Sequence, residues 1–296
     1  MKFRGKIIEI GCIRQFTQLI TDVSRLAKSC ILRLNSNHVC LVVSDGGALG
    51  GTPGLWAELE QQHYFSEYSM EGVSEENQIF LELQTDKLAK TLSSLRSSQS
   101  TRSLKIKLTK KLSPCLTFEI ELPSASGRSR LVLHDVPVSL IPRRLWAAHQ
   151  EPRMSHQFDV SIYLPPIKTL RHVVDRMKVC HIRANLANFP PKTFSSRATL
   201  SGSRSGTLVV SVSNSEVAAS THFRNLTVPA WDADRNDDPE TAYGTSVDIK
   251  KLSSFLQGDH NTAKVICNIV SGRLVHLFLM QEGITLQYFL PAVSAP

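Results

Sequence analysis

Val247-Asp248-Ile249-Lys250-Lys251-Leu252-Ser253-Ser254-Phe255-Leu256 decides the fold, because the chain contains this pattern twice. Its counterpart, Thr85-Asp86-Lys87-Leu88-Ala89-Lys90-Thr91-Leu92, lies roughly 160 residues earlier. Both put an aspartate where a helix begins, apolar side chains at helical spacing behind it, and lysines between them. An aspartate in that place accepts the orphan backbone N–H groups of the first turn, and the spacing gives one apolar face. A second pair of segments repeats at a similar offset. Residues 2–8 are strand-like and precede a helix from about Ile10 to Leu26; residues 159–164 are strand-like and precede a helix that follows Pro165-Pro166. A repeat of this length is a duplicated domain, far longer than the unit of a solenoid.

Between the four helices the pattern is of strands. Residues 29–34 and 38–43 flank Asn35-Ser36-Asn37 as a hairpin. Residues 104–109 and 116–122 alternate strictly, so each has one apolar and one polar face. Three more strands, 264–270, 274–279 and 284–290, are separated by short breaks containing Gly272 and Gly283. The expected class is α+β in two tandem domains, residues 1–135 and 158–296. The proline-rich, partly apolar stretch 136–157 reads as the connecting loop.

The 296 residues are 42% hydrophobic and 20% charged, ordinary for a globular chain, with a net charge of +8. The charged N-terminus lacks a signal-peptide core, and no apolar run reaches the length of a membrane span. The six cysteines form no C-x-x-C pair, and four of them lie inside apolar strands. A reducing compartment, cytosol or nucleus, is expected, and the sequon Asn225-Leu226-Thr227 reads as coincidence.

No motif supplies chemistry. The glycines at 46, 47, 50, 51 and 54 are followed by strand-like Leu55-Trp56-Ala57, where a phosphate loop needs a helix start. The ten histidines show no metal spacing. His134-Asp135 is a dyad by adjacency only, with no activated nucleophile beside it. No catalytic residue, metal or cofactor is expected.

The placement of the positive charge says more than its total. The four helices and their ends carry Arg14, Arg25 and Lys28; Lys87, Lys90 and Arg96; Lys168, Arg171, Arg176 and Lys178; Lys250 and Lys251. One basic helix face is usually just solvated. Four at corresponding places in a duplicated chain point to a surface for phosphates without base readout.

At this point the residues resemble a known family, the PCNA-like sliding clamps, and within it the Hus-type subunit of the heterotrimeric DNA-damage checkpoint (nine-one-one) clamp. The motifs are Met1-Lys2-Phe3-Arg4, Arg25-Leu26-Ala27-Lys28 with Cys30, Met70-Glu71-Gly72-Val73-Ser74, Leu104-Lys105-Ile106-Lys107-Leu108-Thr109, His134-Asp135-Val136-Pro137-Val138 with Ile141-Pro142-Arg143, Asp159-Val160-Ser161-Ile162-Tyr163-Leu164-Pro165, Cys267-Asn268-Ile269-Val270 and Thr285-Leu286-Gln287-Tyr288-Phe289-Leu290-Pro291-Ala292. The resemblance covers nearly the whole chain. It implies two clamp domains, with helices lining an inner face and antiparallel sheets outside. It implies a non-enzymatic subunit that joins two other PCNA-like checkpoint clamp subunits in a heterotrimeric ring, placed by an ATP-dependent clamp loader on double-stranded DNA without sequence specificity. Checkpoint signalling and recruitment of repair enzymes follow, in the nucleus, with a cytoplasmic stage before assembly. A PCNA-type homotrimer for replication and a protein-binding adaptor that does not encircle DNA are the alternatives.

Three surfaces follow from the resemblance. The DNA-facing set is Arg14, Arg25, Lys28, Lys87, Lys90, Lys168, Arg171, Lys178, Lys250 and Lys251. The client pocket is His38 and Leu41 on the first hairpin, Leu140, Ile141 and Pro142 in the linker, and Pro291, Ala292 and Val293 at the tail. Subunit contacts are expected at edge strands 115–122 and 218–226. The stretch 181–196 departs from the family pattern and reads as an insertion.

Overall fold

The computed structural model describes residues 1–44, 53–73, 75–97, 101–123, 129–152, 157–186, 197–213, 218–233, 238–258 and 263–293, with the backbone alone at 96–97, 179–186 and 233. The chain divides into two compact units, Met1–Pro152 with Glu282–Thr285, and Arg153–Gln281 with Leu286–Pro296.

The first unit runs β1 (Lys2–Ile7), α1 (Ile10–Leu26), β2 (Ser29–Leu34), β3 (His38–Ser44), β4 (Pro53–Glu60), α2 (Gln61–Tyr64), β5 (Glu67–Glu71), β6 (Ile79–Gln84), α3 (Thr85–Ser97), β7 (Ser103–Lys110), β8 (Pro114–Leu122) and β9 (Arg130–Leu140). A 3-10 turn, Arg143–His149, follows. The strands lie antiparallel in the order β4-β3-β2-β6-β9-β8-β7-β1-β5. Helices α1 and α3 cover one face. Phe16 and Ile20 of α1 and Leu88 of α3 meet Leu32, Val39, Leu41 and Phe118 of the sheet. Each fully buried leucine or phenylalanine there contributes roughly 1.5–3 kcal/mol. On the opposite face, β1, β5, β7 and β8 carry cross-strand ion pairs: Lys2–Glu71 at 2.9 Å, Arg4–Glu67 and Lys6–Glu67 at 3.2 Å, and Lys107–Glu119 at 2.6 Å.

The second unit runs β10 (Val160–Tyr163), α4 (Ile167–Leu186), β11 (Arg197–Ser203), β12 (Thr207–Ser213), β13 (Ala218–Phe223), α5 (Ala230–Ala233), β14 (Tyr243–Asp248), α6 (Ile249–Leu256), β15 (Lys264–Val270), β16 (Leu274–Gln281) and β17 (Ile284–Pro291). Its strands form two runs, β10-β15-β16-β17 and β13-β12-β11-β14. Asp248 caps α6, accepting from the backbone N–H of Lys250 at 2.7 Å and of Lys251 at 3.2 Å. Helix α6 packs on α4, where the Ser253 hydroxyl donates to Asp175 at 3.2 Å. Gly272 takes the left-handed φ of +65° that the β15–β16 turn requires.

The repeat therefore gives each unit a pair of neighbouring helices, α1 with α3 and α4 with α6. One expectation changes. Residues 136–140 are not loop: they complete β9, and Val136 and Val138 are buried. Helix α4 continues to Leu186, through the start of the expected insertion, and residues 187–196 lie outside the described residues. The glycine stretch from 46 to 51 also lies outside them, and Gly54 belongs to β4.

One buried group makes the second unit sensitive to acid. His276 is 4% exposed, sits among Phe158, Phe278 and Phe289, and meets the Asn268 amide at 3.0 Å. Desolvation pushes its imidazole from 6.5 down to about 4, with the Gln287 side chain acting the other way. Below about pH 6.5 the unfolded chain takes up a proton that the native state refuses, so stability falls as pH drops towards about 4. The slope reaches about 1.4 kcal/mol per pH unit. Urea unfolding of His276→Gln between pH 7 and 4.5 should show a flatter dependence than the parent. An equal slope in both would contradict the assignment.

Candidate functional site

The candidate phosphate-facing residues are carried by the paired helices. Amphipathic packing turns the apolar stripe of each helix to the sheet and leaves the basic side chains outward. Arg14 and Arg25 on α1, Lys28 just beyond it, Lys87 and Lys90 on α3, Lys168 on α4, and Lys250 and Lys251 on α6 are exposed; Arg171 and Lys178 on α4 are half-buried. Within each unit the structure brings these residues onto neighbouring helices. Arg25 pairs with Asp22 at 3.0 Å and Lys90 with Asp86 at 3.7 Å. Each pair lies within its own helix; Lys90–Asp86 is exposed and worth little, so that charge remains available, whereas Asp22 is buried and also accepts from Gln18, so Arg25 is held more firmly.

The strand edges differ from expectation. Strand β8, which covers residues 115–122, is not an edge: it pairs with β7 on one side and β9 on the other. The open edge is its neighbour. Strand β9 pairs with β8 over Arg130–Pro137 but with β6 only at Val138, Ser139 and Leu140, and among the described residues nothing pairs with the other side of residues 130–137. Its outward face carries Leu131, 58% exposed, and Leu133, 60% exposed. In the second unit, among the described residues, β13 pairs only with β12, so residues 218–223 are an edge. Its outward residues are Ala218, Ser220 and His222. Strand β5 also ends its sheet, but it has five residues, and Glu67 and Glu71 are tied into ion pairs, the usual protection of an edge.

The client-pocket residues fall in three environments. His38 is half-buried and meets Glu58 at 3.3 Å, Leu140 is 43% exposed, and Pro142 is exposed. Ile141 packs on an outer-face cluster of Ile31, Cys40, Val42, Trp56 and Phe80, together with Trp146. Leu41 does not belong to this surface: it is 1% exposed and faces the helices with Val39. In a strand the neighbours Cys40 and Val42 must point the other way. Pro291 and Ala292 are half-buried and Val293 is 37% exposed; the Ala292 and Val293 N–H groups donate to Arg273 and Ser246. Sequence reasoning missed Leu131, Leu133, Arg33 and Trp146. The apolar run Leu131-Val132-Leu133, within an otherwise alternating strand, was the available signal for the first two.

Among the described residues no cluster of three or more His, Cys, Asp or Glu side chains could hold a metal ion, and no helix is long and apolar enough to cross a membrane.

Known proteins match this chain from end to end. The family described as Hus1-like protein matches residues 1–294. The human protein named Checkpoint protein HUS1 is 40% identical over 99% of this chain and 100% of its own length. Checkpoint protein hus1 of Schizosaccharomyces pombe is 25% identical over 94% of this chain and 92% of its own. Among solved structures, the proliferating cellular nuclear antigen of Entamoeba histolytica aligns with a TM-score of 0.68 at 12% identity, covering 99% of both chains. PCNA of Thermococcus kodakaraensis gives 0.66 at 14% identity over 98% of this chain and 99% of that one. At those identities the structural likeness speaks for the fold alone, the PCNA-like clamp fold. The family match adds the lineage: the chain belongs to the Hus1-like checkpoint proteins, clamp subunits of the DNA-damage checkpoint.

Proposed function

We propose that this chain is one of three unlike subunits of a ring that an ATP-dependent loader places on double-stranded DNA in the nucleus, where it promotes checkpoint signalling and recruits repair enzymes without chemistry of its own. The observation that carries the reading is the matched pair of helix layers, each with lysines and arginines turned to solvent. Such a surface holds phosphates without reading bases, and lets a ring slide.

The edges favour unlike partners. In a head-to-tail ring, residues 130–137 of one subunit meet the β13 edge of the next. Closing on itself, this chain would set Leu131 and Leu133 against Ala218, Ser220 and His222, which are small or polar. The leucines would gain little cover, whereas a different subunit with an apolar edge would bury them. That mismatch supports unlike partners over a homotrimer.

Reversing Lys90 and Lys250 to Glu tests the DNA surface. Each reversal removes one phosphate contact and adds a repulsion. Retention of the assembled complex on DNA is expected to fall on the order of tenfold at moderate salt, with a shallower salt dependence and unchanged assembly. Retention equal to the parent would show that these helices do not face DNA.

A further inference from the structure

Sheet register sets side chains opposite one another, and like charges placed directly opposite cost stability. On the face of the first unit turned away from its helices, β1 and β7 do this twice in succession. Arg4 stands across from Lys107, and Lys6 across from Lys105. All four share one face, because each strand contributes residues two apart. The intervening and flanking residues Phe3, Ile7, Leu104 and Ile106 point inward and are buried. Cross-strand neighbours stand roughly 5 Å apart and residues i and i+2 roughly 7 Å apart, so four cationic stems rise from a small rectangle. The core does not require them, and a local rule broken without structural gain marks a functional surface.

The flanking strands neutralise only part of this charge. Glu67 of β5 takes both Arg4 and Lys6 at 3.2 Å, and Glu119 of β8 takes Lys107 at 2.6 Å. Lys105 is in register with Glu119 but has no ion pair of its own among the described residues, and it acts on Glu67 and Glu121 through space. Four cations thus meet two bonded carboxylates. The field shows at Glu67, where the hydrogen bond from Lys6, joined by the charges of Lys6, Arg4 and Lys105, holds the carboxyl below its usual range. The shape of the charge selects the anion. Glu67 and Glu71 bound the rectangle on one side, Glu119 and Glu121 on the other, with Asp135 beyond. A long polyanion, whether duplex DNA or an acidic run, would cross these carboxylates. A phosphate monoester is compact, carries close to two negative charges at neutral pH and has three acceptor oxygens. Arg4, its side chain 54% exposed, gives one terminal nitrogen to Glu67 and keeps further N–H donors for such a group.

We infer that Arg4, Lys6, Lys105 and Lys107 form a seat for a phosphorylated residue of a partner protein, held as its phosphate dianion. Lys105 supplies the unbonded charge and Arg4 the directed donors, while Lys6 and Lys107 are shared with their carboxylates. The seat is separate from the helix layers, because these strands turn their other side, with Phe3 and Ile106, towards Phe16 of α1 and Leu88 of α3. It goes beyond the clamp reading and belongs to the isolated chain as much as to a ring.

Amide NMR spectra of the full, isotopically labelled chain test this, with N-acetyl-O-phosphoserine amide as the probe. The amides of Arg4, Lys6, Lys105 and Lys107 should shift most. Binding should be about fourfold tighter at pH 7.5 than at pH 5.5, as the monoester gains its second charge. Dimethyl phosphate, with one charge and no second proton to lose, should bind at least about fivefold more weakly and without that pH dependence. Arg4→Gln with Lys105→Gln should weaken the monoester at least about tenfold, with amides far from these strands unmoved. Lys105→Arg alone, which keeps the charge, should retain binding. Ring assembly and DNA retention of the double variant should equal the parent's. The inference is overturned if the four amides do not move, or if the double variant binds the probe as the parent does. It is also overturned if, at matched ionic strength, hexaglutamate or a short DNA duplex clears the probe from them as well as excess probe does. Loss of DNA retention in the double variant would assign these strands to DNA and remove the seat. Failure of the ring with probe binding intact would remove the clamp reading and leave the seat.

Discussion

Replacing Asp232 with alanine is expected to cost the second unit about 3–5 kcal/mol, seen as a fall in Tm of roughly 10 °C. Asp232 and Arg204 are both about 3% exposed and meet at 3.3 Å. Asp232 also accepts from the Ser161 backbone N–H at 2.8 Å, tying α5 to β10. Arg204 in turn donates to the Asp159 carbonyl at 2.6 Å and lies over the Tyr243 ring at 5.6 Å. Removing the carboxylate strands a guanidinium in a low-dielectric interior. Removing both charges does not, so Asp232→Leu with Arg204→Met should recover much of the loss. Thermal melts of the three variants check this. A single variant as stable as the parent would mean that the pair is solvated in solution.

Leu131→Asp with Leu133→Asp is expected to weaken assembly with the clamp-like partner at that edge by at least about 100-fold, leaving the isolated chain folded. Both side chains are more than half exposed in this chain, so their replacement removes no core contact. In an interface they would be the apolar centre, where losses of 2 kcal/mol or more concentrate. The introduced aspartates would stand beside Glu119 and Glu121, the cross-strand neighbours of Leu133 and Leu131. That adds like-charge repulsion along a strand that must accept a partner. A co-purified complex of unchanged yield and lifetime would place the subunit contact elsewhere.

The helices were legible because an apolar period of 3.6 residues is a local property: Leu88, Leu92 and Leu95 on α3 and Leu252, Phe255 and Leu256 on α6 are all buried. The edges were not, because sheet order is non-local. Strict alternation in β8 says that one face is buried, not which strand stands beside it. The apolar run from Val39 to Val43 hid its own parity. Both faces of β3 are buried, one under helices and one under Trp146, so only the packed core tells that Leu41 is inside and Cys40 outside. Pro137 suggested a linker, but a proline is tolerated in a strand with one open edge, and β9 continues through it. Trp146 lay in a stretch whose composition read as connection. Its partner Phe80 is on a strand 66 residues away, a contact that no local pattern encodes.

Native mass measurement of the full chain, alone and co-expressed with two other PCNA-like checkpoint clamp subunits, tests the central claim most directly. The account predicts no homotrimer from the chain alone and a single species with one copy of each subunit from the mixture. A stable homotrimer of this chain, persisting when the other subunits are present, would contradict it.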